Sequence, residues 1–257
     1  MALNRAVPMI SRLLASILLL SISLTGNAHA DDVGKTPKGV IELFVSQGCM
    51  SCVAADRAMS YLAVQQDIVA LAYHVDYWNY RGWTDPLSRP ENSNRQYGYA
   101  HTLGRSGVYT PQAILNGREQ QKGTDVAVLN KRLDVMRARG SGLHVPIRAV
   151  SRGGKLKITV GEGSGEADIV VVYFRKRQDM EITKGTNEGQ KVSNWNSVTD
   201  VQTVGVWSGE ETKLVLPSKV MGEDKSDGCA ILVQMRGPNG EPGAILGATI
   251  LTAKQSS

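Results

Sequence analysis

The chain has 257 residues, of which 29 are basic and 24 acidic, so its formal net charge is +5. This excess is small and the charges are scattered, which does not favour nucleic acid as a partner. No apolar run approaches the ~20 residues that a membrane-spanning helix needs. We therefore expect neither nucleic-acid binding nor stable insertion of the mature protein in a membrane.

The N-terminus has the pattern of a secretory signal peptide. Arg5 and Arg12 precede an apolar stretch over residues 13–24, and Ala28-His29-Ala30 follows it. This pattern predicts a signal peptide over residues 1–30, with cleavage after Ala30 and a periplasmic or secreted mature protein. An uncleaved anchor is the alternative.

The pattern of elements changes near Gly140. Before it, apolar strands alternate with helical segments, which predicts an α/β domain over residues 31–140. After it, short strands are separated by turn residues, which predicts a small antiparallel β-sandwich over residues 141–257. The predicted strands of this second part are Leu143–Val150, Lys155–Val160, Asp168–Arg175, Val198–Trp207, Lys213–Pro217, Cys229–Gly237 and Ala244–Leu251.

Cys49 and Cys52 form a C-x-x-C motif between a predicted strand, Val40–Val45, and a predicted helix, Ala54–Val64. The N–H groups and positive end of a helix stabilise a thiolate, so Cys49 is the expected nucleophile. Cys52, one turn later, is expected to resolve a mixed disulfide formed on Cys49. Half of a zinc site and a purely structural disulfide are the alternatives, and we predict no metal site.

The third cysteine, Cys229, lies in the apolar run Gly228–Val233. This context is typical of a small core residue in a buried strand. A third, regulatory thiol is the alternative.

Thr110-Pro111 is followed by a predicted strand and an Asn116-Gly117 turn. Together with Cys49 and Cys52, this proline resembles the active site of the thioredoxin superfamily. The resemblance implies a cis bond before Pro111, which faces the dithiol and lets the backbone of Thr110 pair with an extended substrate. An ordinary trans proline at the start of a strand is the alternative.

Longer words extend this resemblance over most of residues 39–140. They are Glu42-Leu43-Phe44-Val45-Ser46-Gln47-Gly48-Cys49, His74-Val75-Asp76-Tyr77-Trp78 and Val108-Tyr109-Thr110-Pro111-Gln112. They are similar to a family of secreted bacterial thioredoxin-like proteins filed under a domain of unknown function. The resemblance implies a thioredoxin-like fold for residues 31–140, with an inserted helical and aromatic segment.

Met50-Ser51 between the cysteines includes no histidine or cation, unlike many strong oxidants of the superfamily. Thr110 before the proline is similar to disulfide isomerases and reductases. Both features favour a reductase or an isomerase.

Two polar residues in apolar strands are candidates for supporting the dithiol. Glu42 lies seven residues before Cys49, and a buried acid could accept a proton from Cys52. An ion-paired glutamate is the alternative. His74, at the end of the next strand, could tune the thiolate or bind a metal, or be a hydrogen-bonded core histidine.

Aromatic residues crowd the segment after His74, and one more precedes Thr110. Of these, Tyr77, Trp78, Trp83 and Tyr109 are the predicted substrate-binding residues. Such a cluster is typical of a peptide-binding wall, but equally of a small satellite core under an insertion.

The function that these residues predict is an exported thiol–disulfide oxidoreductase without a cofactor. Its partners would be protein thiols and disulfides, together with a redox partner that restores its own dithiol. One alternative is a metallochaperone that holds a soft ion such as Cu(I) with Cys49, Cys52 and His74. Another is a non-enzymatic binding module with a structural disulfide.

Overall fold

The structure is a computed structural model that describes residues 1–2, 36–217 and 226–252. The chain divides into two units, Met1–Asp32 and Val33–Ser257, and the second contains nearly all of the described residues. Residues 3–30 of the predicted signal peptide lie outside the described residues. None of the described helices is long and apolar enough to cross a membrane.

The first part of the second unit alternates strands with helices. The strands are β1 (Gly39–Val45), β2 (Ile68–His74), β3 (Gln112–Leu115) and β4 (Glu119–Lys122), and the helices are α1 (Cys52–Leu62), α2 (Pro90–Thr102) and α3 (Val126–Ala138). β1 and β2 are buried along their whole lengths, which explains their almost unbroken apolar sequences. α2 begins with Pro90, and Asp125 caps α3 by accepting a hydrogen bond from Val128 N.

The remaining strands come from the second part of the chain. They are β5 (Ile147–Arg152), β6 (Lys155–Val160), β7 (Ala167–Glu181), β8 (Lys191–Trp207), β9 (Thr212–Pro217), β10 (Gly228–Arg236) and β11 (Pro242–Thr252). β7 and β8 are much longer than the predicted strands. Their antiparallel pairing continues to Glu181 and Lys191, so the two strands form a long hairpin.

Eight strands form one mixed sheet in the order β11-β10-β7-β8-β2-β1-β3-β4, and β5-β6-β9 form a second, antiparallel sheet. β2 is parallel to β1 over its full length and parallel to β8 where Ala72 pairs with Ser197. The structure therefore differs from the predicted division into separate domains at residue 140. β8 continues the sheet of β1 and β2, although the later strands still form two facing layers.

Three apolar clusters lie against the large sheet. The first, around Phe44, Tyr73 and Tyr99, fills the space between α2 and one face of the sheet. The second lies under α1 and α3 and contains both cysteines of the C-x-x-C motif. The third lies between the smaller sheet and strands β7 and β10. The first cluster covers one face of the sheet from β1 to β10. The other two clusters therefore both lie on the opposite face.

Glu42 lies on the α2 face of β1, since successive side chains of a strand point to opposite faces. Its neighbours Ile41 and Leu43 belong to the cluster under α1. The Glu42 side chain is fully buried, and its carboxylate accepts a 2.8 Å hydrogen bond from Arg95 Nε and another from the Tyr99 hydroxyl. This ion pair ties α2 to the centre of the sheet.

Replacing Arg95 with alanine is expected to destabilise the protein by about 3–5 kcal/mol, because the Glu42 carboxylate would stay buried without a cation. Urea denaturation measures this change. The control is Arg132→Ala, which breaks a pair with Glu119 in which both side chains are more than a quarter exposed; it should cost about 1 kcal/mol or less. Equal losses in the two variants would contradict this role of Arg95.

Candidate functional site

The turn between β1 and α1 brings the two predicted redox cysteines together. Cys49 lies in the turn and Cys52 is the first residue of α1, with their sulfur atoms 2.6 Å apart. The turn is closed by hydrogen bonds of 3.1 Å from Cys49 N to Ser46 O and from Cys52 N to Cys49 O. Cys49 is only 2% exposed, whereas Met50 beside it is 70% exposed.

The two thiols have opposite electrostatic environments. Donation by the Cys52 thiol is the largest cause that lowers the pKa of Cys49 to about 6, and the side chains of Ser51 and Thr110 contribute, whereas burial opposes the shift. Burial, followed by the hydrogen bond and the charge of Cys49, raises the pKa of Cys52 far above its usual range. Near neutral pH, Cys49 is therefore a thiolate and Cys52 a thiol.

Ser51 supports this asymmetry from the N-cap position of α1. Its side chain makes no capping hydrogen bond. Instead, Ser51 Oγ lies 3.3 Å from Cys49 Sγ and 3.4 Å from Thr110 O. The hydroxyl is thus placed to bind the nucleophile rather than the first turn of the helix.

Thr110 and Pro111 face the dithiol, and the bond between them is cis, as the resemblance implies. Thr110 O lies 3.8 Å from Cys49 Sγ. Thr110 Oγ1 accepts a 2.8 Å hydrogen bond from Trp78 Nε1, which leaves the hydroxyl hydrogen of Thr110 available to the sulfur atoms.

Gln47 joins this turn to two distant parts of the chain. Its backbone N donates to Asp85 Oδ2 at 2.8 Å, and its side-chain oxygen accepts from Trp83 Nε1 at 3.0 Å. Its backbone O accepts from Asn187 Nδ2 at 2.7 Å. The turn that carries Cys49 is therefore held by the segment after β2 and by the β7–β8 hairpin.

His74 is a buried histidine that pairs with Asp85, as the alternative of a hydrogen-bonded core histidine describes. Its Nδ1 is 2.8 Å from Asp85 Oδ2, and both side chains are buried. Although burial opposes both charges, this pairing raises the pKa of His74 and lowers that of Asp85. Among the described residues, no group of three or more His, Cys, Asp or Glu side chains could hold a metal ion.

Glu42 is not close to Cys52, contrary to the prediction, because it lies on the opposite face of β1. A different acid, Asp56, lies on α1 one turn after Cys52. The pKa of Asp56 is raised to about 7, mainly by burial; the charge of His74 lowers it, whereas the charges of Asp85 and Cys49 also raise it.

The four predicted substrate-binding aromatic residues do not form a single wall. Trp78 contacts Thr110, and a Cβ added at Gly48 would lie 3.2 Å from Trp78 Cβ. Trp83 instead donates a hydrogen bond from Nε1 to the side-chain oxygen of Gln47 in the turn before Cys49. The Tyr77 hydroxyl and the Tyr109 carbonyl both bind the side chain of Gln96 on α2, so they position the proline loop; Tyr109 is also 41% exposed.

Cys229 lies in β10, fully buried in the cluster under the smaller sheet. Burial raises its pKa to about 12, so its thiol is unreactive at neutral pH.

Sequence reasoning missed Asp85, Asn187 and Asp56. Gln47 lies in one of the sequence words that carry the family resemblance, and this is a signal in the sequence for its role in holding the turn. Asp85 and Asn187 are polar residues in polar segments, where only the fold shows that they are buried.

Comparison with known proteins identifies the family. The model of the family described as "Protein of unknown function (DUF1223)" matches residues 40–234. The chain belongs to the DUF1223 family. This confirms the predicted membership of a family filed under a domain of unknown function. No curated protein matches this DUF1223 chain.

Two solved structures are similar to this DUF1223 chain. A crystal structure of a protein from Agrobacterium tumefaciens is 48% identical, with a TM-score of 0.80, and the match covers 87% of this chain and 98% of that one. HBP35 of Porphyromonas gingivalis is 14% identical, with a TM-score of 0.59, and the match covers 87% of this chain and 77% of that one. The second likeness concerns the fold alone.

We expect iodoacetamide to alkylate Cys49 with a midpoint near pH 6, because only the thiolate reacts and the pKa of Cys49 is lowered to about 6. Below the midpoint the neutral thiol predominates and the reaction slows. In Cys52→Ala the midpoint should rise, since the strongest donor is lost. Mass spectrometry of the Cys49 peptide measures both midpoints.

The control for this measurement is Cys229→Ala, which should keep the wild-type midpoint, because Cys229 lies in a different cluster. A wild-type midpoint near the ~8.5 of a free cysteine would contradict the electrostatic account of the site.

Proposed function

We propose that this protein is an exported thiol–disulfide oxidoreductase of thioredoxin-like fold that acts on disulfides of other proteins. The observation that carries this proposal is the pair of thiols 2.6 Å apart at the start of α1, whose pKa values are shifted in opposite directions. The thioredoxin-like part runs from β1 to α3. Its support is the strand, C-x-x-C and helix sequence, together with the proline loop, in which Thr110 O lies 3.8 Å from Cys49 Sγ.

In the proposed reaction, the Cys49 thiolate attacks one sulfur atom of a substrate disulfide. The Cys49–substrate disulfide forms, the substrate S–S bond breaks, and the second substrate sulfur leaves as a thiolate. The charge on Cys49 is thereby lost. Because that charge is one of the causes that raise the pKa of Cys52, the Cys52 proton now leaves more easily.

The Cys52 thiolate then attacks Cys49 Sγ, which forms the Cys49–Cys52 disulfide and releases the first substrate sulfur. Each of the two released thiolates takes up one proton. One of these two protons balances the proton that Cys52 has lost. Two electrons have passed from the dithiol to the substrate. An external dithiol must reduce the Cys49–Cys52 disulfide before the next turnover.

The direction of this exchange and its location are part of the same proposal. Met50-Ser51 between the cysteines and Thr110 before the proline favour reduction or isomerisation over oxidation. The N-terminal pattern over residues 1–30 favours export, where disulfides in other proteins persist.

The test is a trapping experiment with a disulfide-containing peptide and purified, reduced protein. Cys52→Ala should accumulate a mixed disulfide on Cys49, because the resolving thiol is absent, and mass spectrometry identifies this adduct. Wild type should reduce the peptide with dithiothreitol as the electron donor.

Cys49→Ala should form no such adduct, and Cys229→Ala should behave as wild type. A Cys52→Ala protein that folds but forms no adduct on Cys49 would refute the proposed exchange.

A further inference from the structure

The ends of β7 and β8 nearest their shared turn leave the large sheet and form a separate feature, here called the β7–β8 arm (residues 176–196). β7 pairs with β10 only as far as Phe174, and beyond it the described residues of β7 pair only with β8. The arm ends in a loop over residues 182–190 that reaches the turn of Cys49.

Asn187 is a buried residue at the exposed end of this arm. It is 6% exposed, whereas its neighbours Thr186 and Glu188 are exposed. A buried amide must have hydrogen-bond partners, since leaving it unpaired costs ~1–3 kcal/mol. The burial of Asn187 therefore means that the loop packs against another part of the protein and does not project into solvent.

The partners of Asn187 are two carbonyl groups that flank Gly48. Asn187 Nδ2 lies 2.7 Å from Gln47 O and 3.1 Å from Cys49 O. Cys49 O also accepts the hydrogen bond from Cys52 N that starts α1. The side-chain amide of Asn187 thus fixes the backbone on both sides of Gly48, including that of the nucleophile Cys49.

We propose that Asn187 is a positioning residue of the redox site, which acts through the carbonyls of Gln47 and Cys49 to keep the Cys49 sulfur among its hydrogen-bond donors. This inference rests on the proposed function for its meaning in catalysis. The sulfur atom must stay near Cys52, Ser51 and Thr110, and a turn of this length would allow other positions.

The test measures the alkylation midpoint of Cys49 in Asn187→Ala. Without the two hydrogen bonds, the turn can relax and the thiolate loses its donors, so the midpoint should rise by about one pH unit toward the ~8.5 of a free cysteine. Asn187→Leu is the second variant, because leucine has nearly the branched shape of asparagine but no donor. This variant should fold, because leucine fills the volume that the Asn187 side chain occupies, and the alkylation midpoint of Cys49 should rise as in Asn187→Ala.

Asn196→Ala is the matched control. Asn196, in β8, is likewise a buried asparagine, and its Nδ2 donates to the carbonyl of Ala70 in β2 at 2.8 Å rather than to the turn of Cys49. It should lose stability but keep the wild-type midpoint. An unchanged midpoint in the folded Asn187 variants, or an equal rise in Asn196→Ala, would overturn the proposal. Because alkylation needs no substrate disulfide, failure here is distinct from failure of the trapping experiment.

A second inference concerns the outward face of the smaller sheet. Strands β5 and β6 pair Arg148 with Thr159, Val150 with Lys157, and Arg152 with Lys155. The alternate residues Leu156 and Ile158 are buried against the large sheet. All four basic side chains of these pairs are exposed and therefore project from one face.

These four cations have no carboxylate partner among the described residues, and they line one shallow surface concavity together with Val150, Gly153 and Thr159. Lys157 also pairs with Val215 of β9, which is 58% exposed. Four exposed cations without a carboxylate partner in the described part of the chain, beside exposed valines on a single sheet face, are complementary to an extended anionic surface with apolar material beneath it. A small anion would instead need donors that converge on one point.

The geometry points to a peripheral contact between this basic face and the phosphate headgroups of an anionic phospholipid membrane. Each basic residue near such a surface contributes about fivefold to affinity at moderate ionic strength. The contact needs no membrane-spanning segment, because cations can bind the headgroups and the valines can touch the interface.

The test is co-sedimentation of the full mature chain with phosphatidylcholine vesicles that contain about one third phosphatidylglycerol. Wild type should sediment with these vesicles and not with pure phosphatidylcholine, and higher salt should release it. The double variant Lys155→Glu and Lys157→Glu should lose at least about tenfold in affinity. The matched control is Lys122→Glu with Lys131→Glu, two exposed lysines on β4 and α3 that give the same change of net charge.

An equal loss in both double variants would mean that net charge alone is responsible, and would overturn the assignment to this face. Tighter binding of duplex DNA than of the vesicles at the same salt, lost in the same variant, would overturn the membrane assignment. Inhibition of vesicle binding by low concentrations of free phosphate would likewise contradict an extended surface contact.

Discussion

Hydrogen bonds from two distant segments to the turn around Gln47 determine where Cys49 lies. Asp85 accepts from Gln47 N, whereas Asn187 donates to Gln47 O and to Cys49 O. A C-x-x-C turn alone supplies two cysteines and the start of a helix. Here the loop between β7 and β8, in the second part of the chain, adds the two hydrogen bonds of Asn187. The loop between β7 and β8 is thus in direct contact with the turn that carries Cys49.

The difference between the two thiols needs no cation between the cysteines. Cys52 is buried at the first position of α1 and stays protonated, so it donates to Cys49, and Ser51 and Thr110 add further donors. Hydrogen bonds to the ionised form of an acid lower its pKa, as a neighbouring opposite charge also does. The lowered pKa of Cys49 therefore requires no cation at positions 50 and 51. The thiolate is stabilised by neutral donors that lie on the turn, on α1 and on the proline loop.

Sequence reasoning was most successful for features determined by neighbouring residues. The strand before Cys49, the helix that begins at Cys52 and the proline loop all follow from short-range patterns, and the structure brings them together. The predicted position of Glu42 near the dithiol was wrong, because the side chains of β1 alternate between two covered faces and an apolar run does not show which face carries the dithiol. The large sheet also continues across the predicted boundary near residue 140, because one short parallel pairing, Ala72 with Ser197, joins β2 to β8. Such distant pairings leave no local pattern, and this also hid Asn187.

An equilibrium titration of Cys49 and Cys52 in glutathione or dithiothreitol buffers tests whether the two residues form a reversible redox couple. We expect a single two-electron transition with a midpoint between ~−270 and ~−120 mV, the range of catalytic dithiols. The transition should be absent in Cys49→Ala and unchanged in Cys229→Ala. A midpoint below ~−300 mV, which is typical of structural disulfides, would mean that Cys49 and Cys52 do not act as a redox couple.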